Sequence, residues 1–172
     1  MKFKRSAVGG LLALLLLAAP VVGEDVGVMA PGFSLPAIAN ASGAIDLNAL
    51  RGDVVYLDFW ASWCGPCRLS LPALDGLYQE LKDQGLRVVA VSVDVVEEDS
   101  LDFLARYPVT YPVAIDTTGD TARSFAVNGM PSGYLIDRSG TVHSVHVGFK
   151  RGDEESLRHE ILELLEIGRA HV

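Results

Sequence analysis

Residues 54–72, VVYLDFWASWCGPCRLSLP, constrain the fold of this chain more than any other stretch. They open with a run of β-branched and aromatic residues, Val54–Trp60, which is typical of a strand buried on both faces. After Pro66 the leucines take helical spacing, and proline suits the first turn of a helix because its missing N–H would have no partner there. The sequence therefore predicts that Cys64 and Cys67 lie where a buried strand ends and a helix begins.

The position of these two cysteines favours redox chemistry. A thiol at the start of a helix is close to unpaired N–H groups and to the positive end of the helix dipole, and both favour the thiolate. Because the thiolate is the nucleophile, we expect Cys64 to be the partly exposed, attacking residue. Cys67 follows three residues later on the same helical face, where it can resolve a mixed disulfide formed at Cys64.

Two structural roles for the cysteine pair stay open as alternatives. A purely structural disulfide would close a loop of only four residues, which stabilises a fold by roughly 2 kcal/mol through the unfolded chain. Two cysteines distant in the chain would make a stronger crosslink. A structural zinc site needs four ligands, and the sequence has no second pair of cysteines. A C-x-x-C pair beside a strand–helix junction is instead the pattern of a redox motif.

Residues 58–68, DFWASWCGPCR, resemble the active-site segment of thioredoxins, and residues 30–165 resemble the TlpA/ResA-like branch of extracytoplasmic thiol-disulfide oxidoreductases. The resemblance implies an α/β, thioredoxin-like fold: a central mixed sheet flanked by helices, an added N-terminal hairpin and a strand–helix insertion. It implies a redox-active Cys64–Cys67 disulfide, with no metal and no other cofactor. The implied partners are protein disulfide or dithiol substrates, with apocytochrome c as one candidate, and a membrane reductase that donates electrons.

The same resemblance assigns roles to residues outside the cysteine pair. Asp58 takes the place of the thioredoxin acid that lies beneath the disulfide and exchanges protons with the resolving cysteine. Burial in an apolar strand should raise its pKa, which suits a general base, whereas a solvated or salt-bridged edge acid is the alternative. Residues 127–132, VNGMPS, resemble a family segment whose proline is cis and whose preceding residue, here Met130, offers backbone groups to an extended substrate. The other candidate substrate-binding residues are Trp63, Gly65, Pro66 and Pro131.

Ser70 departs from the family pattern, because many ResA-like proteins have glutamate at this position. The substrate preference of those relatives is therefore not carried over to this chain. Trp60 is expected in the core, and the two histidines near a predicted strand, His143 and His146, are expected to be structural. Pro72 is expected to kink the first helix.

The first 23 residues have a basic start, an apolar run over residues 8–19 and small residues before Glu24, as in a secretory signal. An uncleaved membrane tether is the alternative. Either one places the folded domain, expected over residues 24–166, in the periplasm or elsewhere outside the cytoplasm. Residues 167–172 match an in-frame reading of a common sequencing adapter, so we expect them not to be native. The net charge of −8 makes nucleic acid a poor partner.

The rest of the chain alternates between strand and helix patterns, which favours a mostly parallel sheet covered on both faces. In the helix predicted over residues 97–107, Leu101, Leu104 and Tyr107 form the inward stripe. A turn signal at residues 40–43 predicts the N-terminal hairpin, and one at residues 138–140 predicts a closing hairpin. Further helices are expected over residues 66–84, 119–127 and 153–166, and further strands over residues 86–94, 111–115, 133–137 and 141–147.

Two other functions are alternatives to a dithiol-disulfide oxidoreductase. A copper-binding module would hold Cu(I) through the two soft thiolates and a third ligand, for which Met130 is the candidate. A peroxidase of the peroxiredoxin type would carry its attacking cysteine in a P-x-x-x-T/S-x-x-C setting. The residues before Cys64 lack that proline.

Overall fold

The computed structural model describes residues 26–167. The expected signal segment or tether and all but the first residue of the expected non-native tail lie outside this range. Within it, the strands are β1 (Ser34–Ala39), β2 (Ala44–Asp46), β3 (Val54–Trp60), β4 (Leu86–Ser92), β5 (Val113–Ile115), β6 (Ser132–Ile136) and β7 (Val142–Val147). The helices are α1 (Cys67–Leu81), α2 (Glu97–Arg106), α3 (Asp120–Ser124) and α4 (Asp153–Ile167), with 3-10 turns at Leu47–Leu50 and Lys82–Gln84.

The strands form one sheet in the order β2-β1-β5-β4-β3-β6-β7. β3 lies parallel to β4 and antiparallel to β6, and β4 lies parallel to β5. The other neighbours, β1 with β2, β1 with β5 and β6 with β7, are antiparallel. The expected mixed sheet is confirmed, but the expectation of a mostly parallel one is wrong, because a hairpin adds antiparallel strands at each edge.

The two faces of β3 contribute to two different apolar clusters. Val54, Tyr56 and Trp60 pack into one cluster with the buried leucines of α1 and α4 and with both cysteines. The alternate side chains of β3, such as Leu57 and Phe59, pack into the other cluster. Because side chains alternate along a strand, Asp58 lies on the same face as the cysteines.

The added elements predicted by the family resemblance are present. β1 and β2 form the N-terminal hairpin, and its outer side ends the sheet. α2 and β5 are the insertion, since they lie between β4 and α3. None of the helices in residues 26–167 combines the length and the apolar character needed to cross a bilayer.

The boundaries of the central helices follow the sequence closely. α1 starts at Cys67 behind Pro66, contains Pro72, and is followed by the 3-10 turn that ends at Gly85 with a left-handed φ of 102°. The expected inward stripe of α2 is wrong at one position, because Leu101 is 40% exposed. Phe103 and Leu104 carry the buried face instead, with Phe103 against Trp60. α4 extends to Ile167, the last residue that the structure describes and the first of the segment expected to be non-native.

Candidate active site

Cys64 and Cys67 form a disulfide at the junction between β3 and α1, with their Cα atoms 5.4 Å apart. The backbone N–H of Cys67, at the first residue of α1, donates to the Cys64 sulfur over 3.2 Å. Of the first N–H groups of the helix, that of Cys67 faces the Cys64 sulfur, whereas those of the next three residues donate to the carbonyls of Gly65 and Pro66. This arrangement favours negative charge on that sulfur once the disulfide is reduced.

The residues around the disulfide differ sharply in exposure. Cys67 is fully buried and Cys64 is 4% exposed, whereas Trp63 beside it is 70% exposed. Cys64 is the more accessible residue of the pair, but the expectation that it is partly exposed is wrong, because it packs into the apolar cluster shared with α1. Gly65 and Pro66 are exposed, so a partner can approach the disulfide from their side.

Asp58 lies in the middle of β3, paired between Ala90 of β4 and Gly133 of β6. Its side chain is 1% exposed, and Oδ2 has no hydrogen-bond partner among the described residues. Burial raises the pKa of this carboxyl group well above its usual range, because a charged form there would lose its hydration. The alternative of a solvated or salt-bridged edge acid is therefore wrong, since β3 is a central strand and the group is buried.

The Met130–Pro131 peptide bond is cis, as the resemblance implies. Pro131 is buried, while Met130 is half-buried and packs against the apolar cluster that contains both cysteines. The carbonyl of Pro131 accepts a hydrogen bond from the N–H of Gly148, which follows β7. The cis-proline loop is thus fixed between the disulfide cluster and the edge of the sheet.

Asp94 is a site residue that sequence reasoning missed. Its buried carboxylate accepts hydrogen bonds from the backbone N–H and the hydroxyl of Ser62, at 2.9 and 3.0 Å. It also accepts from Ser92 at 3.1 Å and from Ser100 at 2.8 Å. Because Ser62 precedes the Trp63-Cys64 pair, this carboxylate fixes the loop that carries the Cys64 sulfur. The only signal in the sequence is an acid directly after an apolar strand, which does not identify its partners.

Two further polar atoms are buried on the disulfide side of the sheet. Ser70 lies in the first turn of α1, is buried, and has no hydrogen-bond partner for its hydroxyl within residues 26–167. Trp60 is fully buried, as expected for core, and its indole N–H is likewise unpaired there. Together with Asp58, they place three polar groups in the apolar interior beneath the disulfide. Each of these groups has an atom without a hydrogen-bond partner among the described residues.

The two histidines differ in their surroundings. His143 is exposed on β7. His146 stacks on the ring of Tyr56, with centroids 6.1 Å apart, and its Nε2 lies 3.1 Å from a carboxylate oxygen of Glu160. Neither lies in a group of three or more metal-ligating side chains, since the part of the chain that the structure describes contains no such group. The copper-binding alternative therefore gains no support from the described residues.

Comparisons with known proteins agree with this geometry. Residues 26–145 match the family model described as AhpC/TSA. The thiol-disulfide oxidoreductase ResA of Oceanobacillus iheyensis is 35% identical over 125 residues, which cover 72% of this chain and 65% of that relative. The thioredoxin-like protein YneN of Bacillus subtilis is 37% identical over 130 residues, which cover 74% of each. A solved structure from Chlorobium tepidum, described as a thiol:disulfide interchange protein DsbE, has a TM-score of 0.78 and 46% identity, covering 82% of this chain and 98% of the other.

Proposed function

The chain belongs to the AhpC/TSA family, among thioredoxin-like relatives that are thiol-disulfide oxidoreductases, and from this we propose that it reduces disulfides of proteins outside the cytoplasm. The observation that carries the proposal is the Cys64–Cys67 disulfide at the start of α1, with the Cys67 N–H directed at the Cys64 sulfur. Helix N–H groups stabilise a thiolate, and a reactive thiolate next to a second cysteine is what disulfide exchange requires.

In the reduced protein, the Cys64 thiolate attacks one sulfur of a substrate disulfide. The substrate disulfide breaks, a mixed disulfide with Cys64 forms, and the first substrate thiolate leaves. The Cys67 thiol then loses its proton to Asp58, and its sulfur attacks the Cys64 sulfur. The second substrate sulfur leaves as a thiolate and takes up a proton, which Asp58 or the solvent supplies. Two electrons have then passed to the substrate, and the Cys64–Cys67 disulfide is restored. Asp58 suits the proton step because burial raises its pKa toward neutral pH.

The substrate approaches from the exposed side of the disulfide. Trp63, Gly65 and Pro66 offer surface there, and Met130 before the cis-proline offers backbone groups for pairing with an extended chain. Apocytochrome c is the substrate that the resemblance suggests, with a membrane reductase to return electrons to the pair. The signal-like first 23 residues support a periplasmic or tethered location.

Reduction of insulin disulfides tests this function. We expect the wild-type protein to accelerate precipitation of the insulin B chain with dithiothreitol as reductant, and Cys64→Ser to abolish the acceleration. Cys67→Ser should instead accumulate a mixed disulfide with a substrate protein, because attack at Cys64 is retained and resolution is lost. Absence of turnover by the wild type, or turnover by Cys64→Ser, would refute the assignment.

The reducing direction has its own measurement. A redox titration of the Cys64–Cys67 pair should give a midpoint close to that of reducing thioredoxins, about −270 mV. A midpoint near the strong oxidants, around −120 mV, would refute the reducing direction while leaving the exchange chemistry in place.

A further inference from the structure

A groove with a volume of about 690 Å³ opens beside the disulfide, between β7, the loop after it and the first two turns of α4. Pro66, which separates the two cysteines together with Gly65, lines this groove. Gly148 lines it as well and donates its N–H to the Pro131 carbonyl over 2.8 Å. A polypeptide that reaches the disulfide across the cis-proline loop therefore passes the groove.

Tyr56 supplies an unpaired hydroxyl to this groove. The residue is 3% exposed and lines the groove, yet its hydroxyl has no hydrogen-bond partner among residues 26–167. Gly133 on the neighbouring strand makes room for it, since a Cβ there would lie 1.9 Å from the hydroxyl oxygen. The hydroxyl oxygen is not one of the fully buried atoms that lack a partner, so it is open to the groove, where a ligand that donates a hydrogen bond can pair with it.

Two carboxylates line the same groove, Asp153 at the start of α4 and Glu160 two turns later. Burial is the main cause of the raised pKa of Tyr56, and the negative charges of Asp58, Glu160 and Asp153 raise it further. Both carboxylates line the same groove as the Tyr56 side chain. Together the three groups favour a cation that can donate hydrogen bonds.

The positive groups nearby leave room for such a cation. Lys150 is exposed, and within the described chain its ammonium forms no ion pair with Asp153 or Glu160. His146 Nε2 lies 3.3 and 3.1 Å from the two carboxylate oxygens of Glu160, and the Ser144 hydroxyl donates to one of these oxygens over 2.8 Å. The Asp153 carboxylate accepts from the Lys150 backbone N–H and has no cationic partner among the described residues. The remaining lining includes the apolar side chains of Val147, Phe149 and Leu157. Lysine and arginine pack their aliphatic stems on surfaces of this kind while the charged end reaches a carboxylate.

We propose that this groove binds an arginine or lysine side chain of the protein substrate, located next to the substrate's reactive cysteine. The inference rests on the proposed function, because it takes the substrate to be a polypeptide disulfide. It adds a charge preference at a defined subsite, formed by Tyr56, Asp153 and Glu160. The cation offsets one of the two negative charges and gives the Tyr56 hydroxyl a donor.

Disulfide-linked dimers of a short peptide test the subsite. The peptides carry arginine, glutamine or glutamate in turn at each of the two positions on either side of the cysteine. We expect kcat/KM for the best arginine peptide to exceed that of its glutamine counterpart about tenfold, equal to ~1.4 kcal/mol. Glu160→Gln and Asp153→Asn should each reduce this ratio severalfold, and Tyr56→Phe should reduce it without removing a charge. High salt should reduce it too.

Glu163→Gln is the matched control, since Glu163 is an exposed acid on α4 that pairs with His159 and does not line the groove. Its arginine preference should equal that of the wild type. Equal rates for arginine and glutamine peptides, or an undiminished preference in both Glu160→Gln and Asp153→Asn, would overturn the subsite while leaving the oxidoreductase function intact. Failure of the wild type to reduce even the glutamine peptide would overturn the proposed function, and the subsite with it.

Discussion

Asp58 is a carboxyl group buried in the central strand, with one oxygen that lacks a hydrogen-bond partner among the described residues. A folded protein accepts such a group only at a cost in stability, since its ionisation requires a charge in an apolar interior. The group is on the face of β3 that packs with Cys64 and Cys67. The cost is consistent with a group kept for proton transfer rather than for stability.

The substitution Asp58→Asn should stabilise the oxidised protein increasingly as pH rises. The folded-state pKa lies above the unfolded value of about 3.9, so the folded protein keeps its proton where the unfolded chain has lost it. The wild-type free energy of unfolding therefore falls between these two pKa values, by about 1.4 kcal/mol per pH unit. Asparagine has no such titration. Urea unfolding of both proteins at several pH values measures the difference.

Asp102→Asn is the control for this series, because Asp102 is an exposed acid on α2. Its free energy of unfolding should follow the wild type closely at each pH. A difference between Asp58→Asn and the wild type that stays constant from pH 4 to pH 9 would show that Asp58 titrates normally. In that case its assignment as the proton acceptor for Cys67 would fail.

At the scale of elements, the loop between β3 and α1 is held by groups that come from distant parts of the chain. Asp94 follows β4, Ser100 lies in α2, and both connect to Ser62 in the loop through the Asp94 carboxylate. The disulfide loop is therefore fixed to the insertion as well as to its own strand and helix. Four accepted hydrogen bonds also satisfy a carboxylate that is otherwise buried.

A double-mutant cycle of Ser62→Ala and Asp94→Asn measures how strongly this carboxylate holds the loop. All the groups around the Asp94 carboxylate donate hydrogen bonds to it, and the NH₂ group of an asparagine would face these donors without an acceptor. Asp94→Asn should therefore lower the free energy of unfolding by about 1.5–3 kcal/mol. The two substitutions should be non-additive by roughly 0.5–3 kcal/mol, since both remove the same contact. Strict additivity would mean that Asp94 stabilises β4 and α2 but not the disulfide loop.

The elements that the sequence predicted well are those with a strong local pattern. β3, α1 and the final helix α4 each carry a long apolar run or a helical stripe, and their bounds are close to the predicted ones. In α2, by contrast, Leu101 and Phe103 are both apolar, and only the position of Trp60 in the assembled core decides which of them is buried. The bounds of short elements next to turns depend on tertiary contacts, which the local sequence pattern does not predict.

At the scale of the whole molecule, the fold and the disulfide follow from one local segment together with the family resemblance. Three features could not be predicted in this way: the sheet order, the contacts of Asp94 and the groove beside β7. Each of them joins residues that are far apart in the sequence. Strand order also explains why the sheet is mixed, since both hairpins add at its edges. The site is thus predictable in its cysteines and cis-proline, and not in the groups that surround them.

The architecture places the end of a buried strand and the start of α1 at one point, and it directs the Cys67 N–H at the Cys64 sulfur. The pH dependence of iodoacetamide alkylation in the reduced Cys67→Ser protein measures the pKa of the Cys64 thiol. It therefore shows whether this arrangement lowers that pKa. We predict that the pKa of the Cys64 thiol lies below the ordinary value of about 8.5, and that it returns to this value when urea unfolds the chain. A value near 8.5 in the folded protein would show that the helix start does not activate Cys64, and would contradict the mechanism.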